Sequence, residues 1–195
     1  MLKLIEEKIE FNGKVYHITI LSLKNVDGSK ALELLDRLKR HEHGVVIQAF
    51  NPELIATHQH LLSAFIHALK AFKETRNISK NLSMEMVLYA AFTSQIKQAI
   101  ELIGIKQGAR DVVFFIASED QKLTKEIVTT VFNSFKEGLL EDDSILEINR
   151  EKALKMLEIM KLKEHLCDEL YKGEELNNLV IKSVLERVAE VDLLK

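Results

Sequence analysis

Two amphipathic patterns follow one another in the stretch NISKNLSMEMVLYAAFTSQIKQAIELIG, residues 77–104. Apolar residues recur there at i, i+3, i+4 and i+7 in two sets, Met84, Val87, Leu88, Ala91 and Ile96, Ala99, Ile100, Ile103. Each set predicts a short helix with one buried face. Asn81 or Ser83 can cap the first helix and Thr93 or Ser94 the second, and Gly104 predicts a left-handed stop. Because almost no linker separates the helices, they must meet at an angle and present a polar corner, Thr93-Ser94-Gln95.

The composition is that of an ordinary globular protein. Of the 195 residues, 47% are hydrophobic and 29% are charged, and the formal net charge is -3. Any contact with nucleic acid therefore has to come from a local basic patch. The single cysteine, Cys167, excludes an internal disulfide framework and a cysteine-based zinc site. No apolar run reaches the roughly 18 residues of a membrane span, and no signal-peptide pattern opens the chain. We expect one cytoplasmic domain over residues 1–195, with no membrane contact.

The apolar patterns predict a small sheet with many helices. Asn12-Gly13, a favoured tight-turn dipeptide, indicates a β-hairpin within residues 1–23. Further strands are predicted at residues 45–50, 111–117 and 145–148, and the second of these is apolar on both faces and should be central. Besides the two corner helices, helices are predicted over about 28–40, 53–73, 121–136, 150–161, 164–171 and 175–189. The expected fold class is α/β (mixed α+β), a single domain whose small mixed sheet is covered by about seven to eight helices.

The helix predicted over residues 53–73, with Asn51-Pro52 at its start, carries several histidines. His60 and His67 fall on its polar stripe with Ser63 and Lys70, whereas His58 is expected to pack near the apolar side. A histidine-based metal site would use His41, His43, His60 or His67. For the His41-x-His43 pair, no nearby carboxylate or cysteine completes a ligand set, and the plain alternative is a solvated loop beside a helix C-terminus. His60 and His67 are about 10 Å apart along the helix axis, which is too far for one tetrahedral zinc unless another segment intervenes.

Positive charge is concentrated just before the corner. The segment KETRNISK, residues 73–80, is flanked by Lys70 and Lys97, and Glu74 and Glu85 are the only acids from Lys70 to Lys97. A solvated loop is the plain interpretation of such a charge run, and a phosphate-binding patch is the functional one.

The chain contains no recognisable catalytic motif. It lacks a dinucleotide-binding glycine pattern, a phosphate loop, a Gly-x-Ser-x-Gly elbow and a His-Glu-x-x-His pair. Cys167 lies among acidic residues and is interpreted as a structural thiol. The residues favour a binding or regulatory protein over an enzyme, and they call for no cofactor.

Three blocks of the chain form a recognisable series. The central block is Arg76-Asn77-Ile78-Ser79-Lys80, Leu82, Glu85, Leu88-Tyr89, Gln95-Ile96, Ala99-Ile100 and Ile103-Gly104. The flanking blocks are residues 56–60 and residues 184–189 followed by Asp192-Leu193. In order and spacing the series resembles the small kinase-binding subunit of the KEOPS (EKC) complex, in its archaeal branch, over most of the chain from Asn51 onward.

The resemblance implies a non-catalytic subunit. The complex of that family installs threonylcarbamoyl (t6A) on an adenosine next to the anticodon of transfer RNAs that read codons beginning with A, and a separate subunit performs the transfer. The small subunit binds and regulates an atypical kinase/ATPase through the small lobe of that kinase. It also captures the unpaired 3′ CCA tail of the tRNA. The resemblance therefore implies a kinase partner, a tRNA partner and, through the kinase, the rest of the complex.

Capturing a single-stranded tail needs cations for phosphates and polar or aromatic groups for bases. The expected RNA-binding residues are Lys70, Lys73, Arg76, Asn77, Ser79, Lys80, Phe92, Ser94, Gln95 and Lys97. At the corner the family often has a small residue and an Arg-Gln-Ile arrangement, where this chain has Phe92 and Ser94. Phe92 can instead offer a stacking face to an unpaired base.

Two surfaces are candidates for the kinase. One is the second corner helix, with Ile100 and Ile103, and the other comprises Leu185, Val188 and Leu193. Core packing is the plain alternative for these apolar residues. The segment 191–194 is too apolar for a solvated tail and should dock on the body or on a partner. The alternative function is a protein-interaction module that binds the kinase and touches no RNA.

Overall fold

The structure, a computed structural model, describes residues 4–41, 44–135, 143–161 and 174–194. The strands are β1 (Leu4–Phe11), β2 (Lys14–Leu23), β3 (Val45–Phe50) and β4 (Val112–Ser118). The helices are α1 (Gly28–His41), α2 (His58–Lys73), α3 (Leu82–Ala90), α4 (Ile96–Ile103), α5 (Gln121–Ser134), α6 (Arg150–Ile159) and α7 (Glu174–Glu190). Short 3₁₀ turns occupy Pro52–Leu54, Asp143–Leu146 and Val191–Leu194. The predicted mixed α+β class is confirmed.

The four strands form one sheet in the order β1-β2-β4-β3, and all three neighbouring pairs are antiparallel. Asn12 and Gly13 have φ values of 55° and 76°, as a two-residue type I′ turn requires, and they join β1 to β2 in the predicted hairpin. β4 lies between β2 and β3 and is buried at every position. Its predicted central place, inferred from two apolar faces, is confirmed.

Contacts along the chain divide it into two compact units, Met1–Pro52 with Gly104–Ile145 and Glu53–Ile103 with Leu146–Lys195. In the first unit, α1 and α5 pack on one face of the sheet around a core that includes Leu21, Leu34, Ile47, Phe114 and Val131. The second unit contains α2, α3, α4, α6 and α7 and carries the candidate site. The single domain predicted over residues 1–195 stays a prediction.

The long helix begins five residues later than predicted. Asn51-Pro52 starts only a 3₁₀ turn, Pro52–Leu54, and α2 begins at His58. Between them, Ile55 and Ala56 are fully buried, and Thr57 precedes the helix with an extended φ of -153°. The asparagine-proline pair is a local helix-start signal, and the burial of Ile55 and Ala56 overrides it.

Two other expectations are wrong. Ile145 and Leu146 lie in a 3₁₀ turn instead of a strand, because their burial, with 7% of each exposed, is achieved without pairing to the sheet. Gly104 does not adopt a positive φ after α4, and it pairs with Phe50 in an isolated antiparallel bridge. The helix predicted over 164–171, Cys167, and the acidic residues 141–142 lie outside the described residues. No helix within the described ranges is both long and apolar enough to cross a membrane.

Candidate nucleic-acid interface

The corner between α3 and α4 is closed by a Schellman-type helix end. The Phe92 N–H donates to the Tyr89 carbonyl at 3.2 Å, and the Thr93 N–H donates to the Leu88 carbonyl at 3.2 Å. Phe92 adopts the left-handed φ of 56° that glycine usually supplies at this position. Such a conformation is an outlier for a bulky residue and carries backbone strain.

Thr93 fixes the corner from inside. Its side chain donates to Gln98 Oε1 at 2.7 Å and accepts from the Gln95 N–H at 3.2 Å. Thr93 itself is buried, whereas Ser94 is half-buried and Gln95 is exposed. The polar corner predicted from the sequence therefore presents two side chains to solvent, Ser94 and Gln95.

Phe92 is supported by a buried histidine. The rings of His60 and Phe92 stack with 5.2 Å between centroids and an angle of 5° between planes. His60 Nε2–H donates to the Ala90 carbonyl at 3.1 Å, and its Nδ1 accepts from the Ala56 N–H at 3.4 Å. Burial lowers the pKa of His60 to about 3 despite the Ala90 hydrogen bond, so the imidazole is neutral. Its predicted place on a polar stripe is wrong, since the side chain has 0% exposure.

The basic loop, residues 73–80, is shaped by one buried carboxylate. Glu85 Oε2 accepts from the backbone N–H groups of Ile78 at 3.0 Å and Ser79 at 2.7 Å. Asn77 Nδ2 donates to the Ser79 carbonyl at 3.1 Å, and Ser79 is only 7% exposed. Asn77 and Ser79, predicted to contact bases, therefore build the loop in this conformation, while Lys80 is exposed.

A second polar cluster, the Asp192 cluster, consists of Asp192, Arg76, Tyr89 and His67. The Asp192 carboxylate accepts from Arg76 Nη1 at 2.9 Å and from Tyr89 Oη, and lies 3.3 Å from His67 Nδ1. Burial acts to raise the pKa of Asp192, but the hydrogen bonds from Tyr89, Arg76 and His67 lower it below its ordinary value. Arg76 Nε also donates to Glu74 at 2.8 Å. The charge of Arg76 is thus shared between two carboxylates of its own chain.

An open groove of about 900 Å³ lies beside the corner. We call it the corner groove. Three of its lining residues are predicted RNA contacts, Phe92, Ser94 and Gln95. Three more are cations that were not among the predicted RNA-binding residues, Lys155, Lys161 and Arg187. Ile159, Met160 and Leu194 contribute apolar wall, and Glu158 is an acidic neighbour. A π-face, two hydrogen-bonding side chains and three cations in one groove suit a single-stranded polyanion.

The other predicted cations do not line this groove. Lys70, Lys73, Lys80 and Lys97 are exposed, and Arg76 is held in the Asp192 cluster. The structure therefore places the corner residues predicted for base contact in one groove. The cations that line the same groove are Lys155 of α6, Arg187 of α7 and Lys161.

Comparison with known proteins places the chain in a family. The profile of the family described as kinase binding protein CGI-121 matches residues 23–189. The chain belongs to the CGI-121 family. It is 30% identical to the regulatory protein Cgi121 of Methanocaldococcus jannaschii over 152 residues, 78% of this chain and 87% of that protein. It is 32% identical to the KEOPS complex subunit Cgi121 of Pyrococcus abyssi over 74 residues, 38% of this chain and 43% of that protein. The resemblance identified from the three sequence blocks is confirmed.

In this CGI-121 family chain the predicted partner-binding residues divide by exposure. Ile100 is 47% exposed and Leu193 is 83% exposed, and Leu185 is half-buried. Ile103 and Val188 are 2% and 0% exposed, so their side chains pack inside the chain and cannot reach a partner from this conformation. Core packing, the plain alternative, is the interpretation that fits these two residues.

The groove cations were missed because no local pattern marks them. Lys155 and Arg187 sit on charged faces of α6 and α7, where Lys155 pairs with Glu53 and Arg187 pairs with Glu190 at 2.7 Å. Charged residues at such positions ordinarily belong to solvated helix faces. Only the packing of α6 and α7 within the second unit brings them near a corner more than fifty residues away.

The histidines engage in contacts other than metal binding. His60 is bonded to two backbone groups, and His67 contacts Asp192 and packs against Tyr89 with 5.5 Å between ring centroids. Across the described stretches of this CGI-121 family chain, no three or more His, Cys, Asp or Glu side chains are placed to hold a metal ion. Of the other proposed ligands, His43 lies outside the described residues, and for His41 only the backbone is described.

Proposed function

We propose that this chain is a non-catalytic subunit of a KEOPS complex, in which it binds and regulates the atypical kinase/ATPase and recruits tRNA by its single-stranded 3′ CCA tail for t6A modification. The observation that carries the RNA part is the corner groove, where Phe92, Ser94 and Gln95 lie with three cations. The regulatory and kinase-binding parts rest on the names of the family and of the two archaeal relatives.

The groove suits a short unpaired tail better than a duplex. A duplex buries its base faces, whereas an unpaired base offers a π-face to an aromatic ring and its Watson–Crick edge to side chains. Phe92 can supply the stacking surface, since its own ring is held in place by His60. The exposed amide of Gln95 can both donate to and accept from a base edge. Lys155, Lys161 and Arg187 can neutralise phosphates along the same groove.

We assign further contacts of the tRNA to the basic loop. Lys80 and Lys97 are exposed cations on the loop and at the first turn of α4. A tRNA whose tail lies in the groove needs further sequence-independent contacts to its backbone, which lysines supply as point charges. With a net charge of -3, the chain contributes one local patch of a larger RNA footprint.

For the kinase we propose the apolar side chains that remain exposed. Leu193 and Leu194 are 83% and 57% exposed and follow one another in the 191–194 turn, and Ile100 is 47% exposed on α4. Exposed apolar side chains that are grouped mark interaction sites more often than scattered ones do.

The alternative, a module that binds the kinase without RNA, is favoured by one observation. Arg76, the only arginine among the predicted RNA-binding residues, is paired with Glu74 and Asp192 inside its own chain. Lys155 and Arg187 of the corner groove are likewise paired, with Glu53 and Glu190. If these pairs persist in the complex, the surface does not attract phosphate.

Two sets of variants in which glutamine replaces lysine, and so removes its positive charge, distinguish these functions. The groove set is Lys155→Gln with Lys161→Gln, and the loop set is Lys80→Gln with Lys97→Gln. Lys125→Gln on α5, in the other unit, is the matched control. The tRNA affinity at fixed salt should fall several-fold for each set but not for the control. For the groove set, the slope of log affinity against log salt concentration should become shallower by about 0.7 per lost phosphate contact on the single strand. In the same preparations, capture of the kinase should persist. Unchanged tRNA affinity in both sets with kinase capture intact would support the interaction-only alternative.

A further inference from the structure

One ion pair connects the basic loop with the 191–194 turn, whose Leu194 also lines the corner groove. Arg76 belongs to the basic loop, and Asp192 belongs to the 191–194 turn, directly before the exposed residues Leu193 and Leu194. Arg76 Nη1 and Asp192 Oδ1 are 2.9 Å apart. The loop expected to meet RNA and the turn expected to meet the kinase are therefore tied to each other by a side-chain contact.

The Asp192 carboxylate is a principal anchor of this turn. Its side-chain partners are Arg76 of the basic loop, Tyr89 of α3 and His67 of α2. Val191, which is 1% exposed, supplies an apolar anchor on one side, whereas Leu193 and Leu194 project into solvent. Removing one of three partners from Asp192 should loosen the turn without detaching it.

Of the three contacts that Asp192 makes, the one with Arg76 can be exchanged for another anion. The Arg76 side chain is 39% exposed, and its two carboxylate partners, Asp192 and Glu74, are 23% and 52% exposed. Ion pairs at this exposure contribute little to stability, because water and salt screen them. A phosphate group presents several anionic oxygens in the geometry that guanidinium binds with two parallel hydrogen bonds. A phosphate arriving at the loop can therefore replace a carboxylate on Arg76.

We propose that Arg76 and Asp192 form an anion-sensitive clasp. A phosphate group that takes Arg76 from Asp192 loosens the 191–194 turn, and a partner seated on Leu193 and Leu194 of the clasped turn makes Arg76 harder for a phosphate to capture. Phosphate and the partner therefore weaken each other's binding by the same factor, since coupling between binding sites is reciprocal. For an exposed pair the coupling is at most about five-fold in affinity. The identity of the two ligands rests on the proposed function, but the clasp itself needs only a phosphate.

The order of the turn can be measured in the full chain by NMR relaxation of the backbone amides of residues 191–194. The probe is inorganic polyphosphate, which has phosphates but no bases, added at constant ionic strength. In the wild type, order parameters near 0.85, typical of rigid backbone, should fall toward 0.6 as the probe saturates. Arg76→Gln should start at the value that polyphosphate produces in the wild type and should not respond to the probe.

Glu74→Gln is the matched control, because Glu74 shares Arg76 but has no described contact with the turn. Without polyphosphate, this variant should keep a rigid turn. Its order parameters should then fall at a polyphosphate concentration several-fold lower than the wild type requires. The clasp is overturned if polyphosphate leaves the wild-type turn rigid at saturation, if it does not shift the Arg76 Nε–H resonance, or if Glu74→Gln loosens the turn as much as Arg76→Gln does.

Repeating the measurement with tRNA separates this inference from the proposed function. If tRNA binds and the turn stays rigid, the clasp is wrong and RNA binding stands. If tRNA does not bind but polyphosphate loosens the turn, the clasp stands and the proposed RNA function is wrong.

Discussion

The backbone N–H of Ser79 donates a hydrogen bond of 2.7 Å to the carboxylate of Glu85, and both residues are buried. The same carboxylate oxygen accepts from the Ile78 N–H at 3.0 Å. One acid in the first turn of α3 thereby folds the basic loop back onto the helix that follows it. The loop is thus a fixed platform, from which Lys80 projects into solvent.

Replacing Glu85 by alanine should therefore destabilise the protein. Two backbone N–H groups would lose their partner, and at least that of Ser79 would be left buried, which costs about 2 to 3 kcal/mol in the free energy of unfolding. Chemical denaturation measures this loss. Glu101→Ala, at an exposed position of α4, is the control and should change the free energy by less than about 0.5 kcal/mol. A loss at Glu85 no larger than the loss at Glu101 would show that this carboxylate does not hold the loop.

Glycine should be more stable than alanine at position 92. Phe92 has a φ of 56°, which costs an L-residue about 1 kcal/mol and costs glycine nothing. Both variants lose the ring that stacks on His60, so their difference isolates the backbone. Phe92→Gly should exceed Phe92→Ala by about 1 kcal/mol in the free energy of unfolding.

The opposite order is expected at Ala189 in α7, where the backbone is helical and Ala189→Gly should lower stability. If glycine is also the weaker residue at position 92, the left-handed corner is absent in solution. Because both Phe92 variants lack the aromatic face, both should bind tRNA more weakly than the wild type, and by similar factors.

His60 should make stability depend on pH in mildly acidic solution. Its pKa is lowered to about 3 in the folded protein, chiefly by burial, with an ordinary value of 6.5 once unfolded. Between those two values the unfolded chain binds one proton more than the folded chain. Stability contributed by the neutral imidazole is therefore complete above about pH 6.5 and is lost as the pH falls toward 3, by up to about 1.4 kcal/mol per pH unit.

His60→Gln tests this, because its amide can still donate to Ala90 and accept from Ala56. The free energy of unfolding should be measured from pH 7 to pH 4 for both proteins. The wild type should lose more stability than the variant over that range. Parallel pH profiles would mean that His60 is not buried in its neutral form.

Asn81 should act both as a helix cap and as part of the site. Its Oδ1 accepts from the Ser83 N–H at 2.8 Å and the Met84 N–H at 3.3 Å. Asn81→Ala should cost about 1 kcal/mol in the free energy of unfolding. Asn149 caps α6 in the same way, so Asn149→Ala should cost a similar amount. Only Asn81→Ala should also weaken tRNA binding, since Asn81 adjoins Lys80. Equal tRNA affinity for the two variants would show that Asn81 acts only as a helix cap and is not part of the site.

The features that the sequence predicted are those decided by neighbouring residues. Asn12-Gly13 has a strong intrinsic preference for the positive φ values of a hairpin turn, and the hairpin is present. Asn81, one of the two predicted caps of α3, accepts from backbone N–H groups two and three residues away. β4 is apolar on both faces, which only a covered central strand accommodates.

The features that were mispredicted or missed depend on distant residues. His60 falls on the polar stripe of a helical wheel, yet the Ala90 carbonyl thirty residues away binds its ring and keeps it buried. Arg76 was predicted to bind RNA, and its pairing with Asp192, 116 residues along the chain, was missed. Neither partner is encoded by spacing, so periodicity could not assign the contacts.

The central claim is that this chain captures the unpaired tail of a tRNA. The most direct measurement is titration of the full chain with labelled tRNA, with and without its 3′ CCA end, at one stated salt concentration. Each base stacked on an aromatic side chain contributes about 1 to 3 kcal/mol. We therefore predict that removing the tail weakens binding at least ten-fold, and that Phe92→Gly removes much of the difference between the two RNAs. Equal affinity of the wild-type chain for intact and truncated tRNA would contradict the account.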